Sequence, residues 1–173
     1  MPESGDIWML ERVISGGQTG VDRGVLDAAL QLGVACGGWC PQGRRAEDGP
    51  IHPRYPLRET ASDAYAERTR LNILNSDGTL VLVDGQPAGG TALTLSEIRR
   101  RDLPCHIMPP TAGRVMEAVA WIRRNQIRVL NVAGPRESEV RGVHGRAYDF
   151  MLALLRGLPV QRANTGPWNP RAR

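Results

Sequence analysis

The chain contains no lysine, so all 22 of its Lys/Arg positions are arginine. That absence removes lysine Schiff-base chemistry and leaves no way to complete a Walker A phosphate loop, whose lysine is part of the motif. Aromatic residues are only 5% of the chain, with Phe150 its one phenylalanine. Single-stranded nucleic-acid surfaces interleave basic and aromatic side chains, and the longest basic run here is Arg99-Arg100-Arg101. No nucleic-acid partner is therefore expected, despite a net charge of +4. No apolar run approaches the ~20 residues of a membrane span. Residues 1–10 carry Glu3 and Asp6 with no basic stretch ahead of an apolar one, so neither a membrane partner nor a secretory leader is expected, and the cytoplasm is the expected location. Cysteines are few: Cys36, Cys40 and Cys105 are an odd number, and the CxxxC spacing of the first two fits neither a zinc knuckle nor a redox CxxC. They read as buried thiols of a reducing compartment. His52, His106 and His144 are scattered, and no His/Asp/Glu metal cluster, catalytic triad or Cys/His nucleophile can be assembled.

What is present is glycine, in three meaningful places. The run Ser15-Gly16-Gly17-Gln18-Thr19-Gly20-Val21-Asp22-Arg23-Gly24 follows a short apolar segment and opens onto an amphipathic stretch. Residues without a Cβ let a ligand come close to backbone N–H groups, and the first turn of a helix leaves such groups unpaired at the positive end of its dipole. The pattern predicts an anion cradle there, with Thr19 as N-cap and Asp22 three residues on. A tight turn would use the same glycines.

Short β-type runs alternate with helical periodicity over the rest of the chain. Strands are expected over 12–15, 34–36, 79–83, 105–107 and 129–132, and helices over 21–32, 64–75, 91–101, 113–125 and 140–156. Five strands joined by crossover helices predict an α/β, Rossmann-like, doubly wound and mainly parallel sheet with helices on both faces. At 173 residues the expected organisation is one ligand-binding domain over 1–156, which buries roughly 70% of its unfolded surface, followed by an irregular tail over 157–173. The tail is expected to pack on a neighbouring subunit through Trp168. Residues 37–58 break the alternation with Pro41, Pro50, Pro53 and Pro56, yet carry Trp39, Ile51, Tyr55 and Leu57 as apolar anchors, so an ordered flap is expected over a site.

In such a sheet, ligands bind where the loops after the strand ends converge. Three of those loops carry chemistry: the opening run; Asp84-Gly85-Gln86-Pro87-Ala88-Gly89-Gly90-Thr91 with Thr94; and Ala133-Gly134-Pro135-Arg136. One helix terminus contributes only ~0.3–1 kcal/mol to an exposed anion. Charge-assisted bonds of roughly 1.5–3 kcal/mol each, from Arg23, Arg44, Arg45 or Arg136, would bring micromolar affinity within reach. The residues by themselves predict a site for a small anionic ligand, a heterocycle bearing phosphate.

The opening run, Pro41-Gln42-Gly43-Arg44-Arg45-Ala46-Glu47-Asp48-Gly49, Arg68-Thr69 with Asn72, Ser76-Asp77-Gly78-Thr79, Gly89-Gly90-Thr91 with Thr94, and Asn131-Val132-Ala133-Gly134-Pro135-Arg136 occur in an order that resembles the molybdenum carrier family. This is a circularly permuted YpsA-type branch of the Rossmann-like superfamily that includes the cytokinin-activating LOG enzymes. The resemblance runs from about Val13 to Leu155. It implies a carrier or storage protein for molybdenum cofactor (molybdopterin) in a homo-oligomer, dimer or tetramer. It also implies a ligand site over Gly16, Gly17, Gln18, Thr19, Gly20, Asp22, Arg23, Arg44, Arg45, Asp77, Gly89, Gly90, Thr91, Thr94 and Arg136. Gln18, Asp22 and Asp77 are the expected partners of pterin N–H groups, and the metal would arrive with its pterin. Two other functions follow from the superfamily: a nucleotide glycosidic hydrolase and a nucleotide or ADP-ribose sensor. The LOG signature has Gly-Gly-x-Gly-Thr with a Glu three residues later; here no second Gly-Thr follows, and Glu97 is the nearest downstream acid, the general acid or base of the hydrolase alternative.

Overall fold

A computed structural model describes residues 7–163 and 168–170. Strands β1 (Arg12–Ile14), β2 (Cys36–Gly37), β5 (Gly78–Leu82), β6 (Cys105–Met108) and β7 (Val129–Ala133) form one parallel sheet in the order β2-β1-β7-β5-β6. β3 (Trp39–Cys40) and β4 (Arg58–Glu59) form a separate parallel pair. The five helices are α1 (Val21–Gln31), α2 (Tyr65–Leu74), α3 (Gly89–Arg101), α4 (Val115–Arg124) and α5 (Val143–Arg156).

Alternation along the strands explains the layers. Leu80 and Leu82 of β5 join Val13, Leu130 and Val132 in a core shared with α1, α4 and α5, whereas Val81 and Val83 pack with Ile73 of α2 and Leu95 and Ile98 of α3. Both faces of β5 are thus buried, as a central parallel strand requires. Over Ile14 the cover is not a helix: Trp168, 3% exposed, packs on Ile14 and Val129 and meets Trp39 edge to face at 5.6 Å. Trp168 is therefore internal to its own chain, which corrects its expected place against a neighbouring subunit.

Helix ends follow local chemistry. Gly33, at φ +62, stops α1. The helix expected from residue 140 starts at Val143, because Gly142 is left-handed and Glu137 accepts hydrogen bonds from the Gly142 and His144 N–H groups. The strand expected at 34–36 is displaced to Cys36–Gly37, and Val34 bridges to Arg162 instead. Asp77 accepts hydrogen bonds from the N–H groups of Arg128 at 3.0 Å and Val129 at 2.7 Å, at the start of β7.

The flap is ordered around one arginine. Arg44 donates to the carbonyls of Ile51, His52, Tyr55 and Leu57 at 2.9–3.3 Å, while Ile51, Tyr55 and Leu57 bury their side chains against the core. Tyr55 and Arg54 donate to Asp27 of α1 at 2.8 and 2.5 Å, which fastens the flap to the body. No described helix is long and apolar enough to cross a membrane.

Candidate functional site

β1, β7 and β5 are adjacent, and the chain turns to opposite sides of the sheet after β1 and β5. Their C-terminal loops therefore meet at the switch point of strand order, where open α/β sheets bind ligands. A cleft lies there between the opening run, α2, the start of α3 and the segment 131–139.

Neighbouring protein atoms stand where the glycines of the opening run would carry a side chain. A Cβ on Gly16 would lie 2.6 Å from Cζ of Arg68, one on Gly17 2.5 Å from Leu57, and one on Gly20 2.5 Å from the Pro135 carbonyl. The first N–H groups of α1 are likewise engaged: Val21 donates to Pro135 at 3.2 Å and Arg23 to Gln18 at 3.1 Å. The N-cap is Gly20, with no side-chain cap bond, so Thr19 does not cap α1. Thr19 instead donates to Glu47 and accepts from the Glu137 N–H at 3.2 Å, and Asp22 accepts from the Gln18 N–H at 3.2 Å.

The α3 terminus is more open. A Cβ on Gly90 would meet nothing within 4 Å. Next to it Thr91, 4% exposed, has a hydroxyl with no hydrogen-bond partner. Across the cleft the Arg136 guanidinium makes no hydrogen bond to any described residue; its nearest carboxylates, Glu139 and Glu47, stand at 3.6 and 3.9 Å. An open glycine, an unpartnered hydroxyl and a guanidinium that makes ion pairs but no hydrogen bond line the same space, and all three can donate to an anion.

Deeper in the cleft, Arg68 of α2 pairs with Asp22 at 2.8 Å, both side chains largely buried at 13% and 8% exposure. The Gln18 carbonyl oxygen accepts from the backbone N–H groups of Thr19 and Glu47, each at 3.0 Å, while its Nε2 has no partner. Nε of Arg68 is also unpartnered. Each buried donor left so costs about 1–3 kcal/mol, and several gathered in one cleft are what a ligand would satisfy. Tyr65 lies at the rim, with the guanidiniums of Arg45, Arg136 and Arg68 at 4.9, 5.6 and 5.7 Å from its ring centre.

Of the residues proposed from the sequence, Gly16, Gln18, Asp22, Gly90, Thr91, Thr94 and Arg136 line this cleft. Thr94 donates to the Gly90 carbonyl at 2.9 Å. Gly89 precedes Gly90 with φ +51. Gly17 is covered by the flap. Thr19, Gly20 and Arg23 face a second cavity on the other side of the loop. There Arg23 pairs with Asp48 and holds that carboxyl below its ordinary pKa. Burial would raise the Glu47 carboxyl, but hydrogen bonds from Ser138 and Thr19 outweigh it and hold the group below its usual value.

Three further expected ligand residues are not among those that line the cleft. Arg44 is spent on flap carbonyls, Asp77 lies at the start of β7, opposite the cleft edge, and Arg45 sits at the rim, 3.7 Å from Asp63. Glu97 is not among the cleft-lining residues; it pairs with Arg100 and Arg101, which hold its carboxyl below the ordinary range. Arg68, Thr69 and Asn72 of α2, and Asn131, quoted from the sequence as motif residues but not as ligand residues, also line the cleft, as do Tyr65 and Glu139, which sequence reasoning missed. The helical ones recur at spacings of three, four and seven, a polar stripe on one helix face that the sequence does display. Among the described residues no three His, Cys, Asp or Glu side chains stand together as metal ligands.

Residues 13–155 match the model of the Circularly permutated YpsA SLOG family. The chain belongs to that family. Another structure of the same build is the crystal structure, at 1.45 Å, of the "Putative molybdenum carrier protein" from Syntrophus aciditrophicus SB. It superposes with a TM-score of 0.80 at 36% identity, over 85% of this chain and 96% of that one. No curated protein matches the chain. Membership of the YpsA SLOG family agrees with the five-stranded parallel sheet and its flanking helices.

Proposed function

We propose that the chain is a binding protein for molybdenum cofactor, holding the terminal phosphate between Arg136 and the start of α3 and the pterin deeper in the cleft. The observation that carries this reading is the Arg136 guanidinium, held only by two ion pairs longer than a hydrogen bond, beside open Gly90 and the unpartnered Thr91 hydroxyl. An oxyanion there would gain two charge-assisted bonds from one planar guanidinium and the favourable end of the α3 dipole. The name of the Syntrophus relative supports the choice of a molybdenum-bearing ligand. We assign the phosphate to α3 and not to the α1 cradle expected from the glycines because Gly90 leaves open space where Gly17 and Gly20 lie against protein, although N–H groups are paired at both helix starts, Val21 and Arg23 in α1 and Thr91 and Ala92 in α3.

The residues fit such a cargo. Arg136, Gly90 and Thr91 offer donors to a phosphate; Gln18 and Asp22 offer a donor and an acceptor to a heterocycle; and the dithiolene of the pterin supplies its own ligands to the metal. Titration of cofactor released from a molybdoenzyme into the purified chain tests the reading. Saturable uptake that Arg136→Ala weakens is expected, and uptake that fails to saturate would overturn it.

A nucleotide would meet the same donors. A glycosidic hydrolase built on Glu97 has less support, since that side chain is held by two arginines away from the cleft.

A further inference from the structure

The polarity of the cleft floor is fixed, and that selects what can lie against it. Gln18, 5% exposed, has its amide oxygen held by two backbone N–H groups, Thr19 and Glu47. Turning the amide over would set its NH₂ against two donors, so the side chain can present only N–H to the cleft. Asp22 lies beside it. Oδ2 of Asp22 is taken by the Gln18 N–H and by Arg68, and Oδ1 has no partner among the described residues. A donor of fixed orientation and a carboxylate anchored by two bonds to its other oxygen therefore line the same cleft.

We infer that Gln18 and Asp22 read the edge of a planar heterocycle, Gln18 donating to a ring carbonyl or ring nitrogen and Asp22 accepting from the adjacent N–H. Gln18 is not an acceptor for pterin N–H groups, because its oxygen is occupied; only Asp22 of the pair can take that role. The chemistry demanded is an acceptor next to an N–H, which pterins and purines both carry. A sugar phosphate without a base would satisfy the Arg136 end and leave both Gln18 Nε2 and Asp22 Oδ1 unmatched. Leaving a buried donor such as Gln18 Nε2 unpaired is what makes a polar site selective. The inference rests on the cleft being the ligand site, and it adds which residues choose the heterocycle and with what polarity.

Gln18→Glu tests it cleanly. Glutamate keeps an oxygen for the Thr19 and Glu47 N–H groups and removes the donor that faces the cleft; the negative charge it adds weakens every phosphate ligand alike and cancels in the ratio to ribose 5-phosphate. Binding of neopterin monophosphate, GMP, AMP and ribose 5-phosphate to the full chain is measured by calorimetry, along with neopterin and guanosine, which lack phosphate. At least one base-bearing phosphate is expected to bind about tenfold or more tighter than ribose 5-phosphate, and the ratio to fall at least about tenfold in Gln18→Glu. The pterin, guanine and adenine arms identify the preferred ring. The same ligand methylated on the N–H beside its ring acceptor is expected to lose the advantage on the unmutated chain, so the test does not depend on the variant folding. Equal affinity for ribose 5-phosphate and every base-bearing phosphate, or a ratio untouched by both changes, would overturn the inference while leaving the anion site intact. Tight binding of neopterin or guanosine that phosphate does not improve would overturn the anion reading and leave this one standing. Absence of binding by all six compounds would overturn both.

Discussion

Arg68 lies across Gly16: a Cβ on that glycine would stand 2.6 Å from Cζ of the guanidinium, which pairs with Asp22 at 2.8 Å. Backbone freedom is not the reason for this glycine, since its φ is not positive. Gly16→Ala is expected to push Arg68 away from Asp22 and to destabilise the fold by on the order of 2 kcal/mol, discounted from a fully buried pair for the residual exposure of both groups. Urea unfolding measures it. A midpoint equal to that of the parent chain would show that Arg68 has room to shift.

Gly90 makes the opposite prediction. Alanine there meets nothing within 4 Å and lies in the first turn of α3, so stability is expected to hold or rise by up to about 1 kcal/mol. Its methyl group would stand in the cleft, and affinity for phosphate-bearing ligands is expected to fall. Loss of thermal stability in Gly90→Ala, or affinity equal to the parent's, would remove Gly90 from the anion site.

The flap depends on Arg44. Its guanidinium satisfies four carbonyls between Ile51 and Leu57, which a lysine ammonium cannot reproduce with its single point of charge. Arg44→Lys is expected to make residues 37–58 a preferred site of limited proteolysis, read by mass of the fragments. Cleavage no faster than in the parent chain would contradict the assignment.

Burial raises the thiols of Cys36 and Cys105 to about 11 from an ordinary 9.0. Between those values the unfolded chain has lost protons that the folded chain keeps, so folding stability is expected to decline as pH rises from about 9 towards 11. At pH 8 buried Cys36 is expected to react with a disulfide reagent only after denaturant is added, and partly exposed Cys105 to react slowly in the native protein. Rapid modification of Cys36 in the native protein would show that its burial is transient.

The five sheet strands and five helices were legible because short continuous apolar runs and 3.6-residue periodicity leave few alternatives. Ends were less so: Val143 begins α5 through Glu137, a contact five to seven residues away that no periodicity contains. The site was half legible. Arg136 and Gly90-Thr91 follow strands and could be placed on the ligand edge by topology alone. Asp77 precedes β5, however, and topology puts it at the other end of the sheet; its motif did not say which end. Arg44 and Gly16 have residue types a phosphate site uses, and both also pack the protein against itself, Arg44 on the flap carbonyls and Gly16 beneath Arg68 at the cleft wall. Arg68 was overlooked as a site residue because it sits inside a helix, where the stripe of Tyr65, Thr69 and Asn72 was the available clue.

The most direct test is mass spectrometry of small molecules released from the chain after purification from cells that make molybdenum cofactor, with Arg136→Ala prepared in parallel. The account predicts a phosphorylated pterin and molybdenum in comparable amount from the parent chain, and at least about tenfold less from Arg136→Ala. A parent chain free of pterin and molybdenum, or a variant that carries as much, would contradict it.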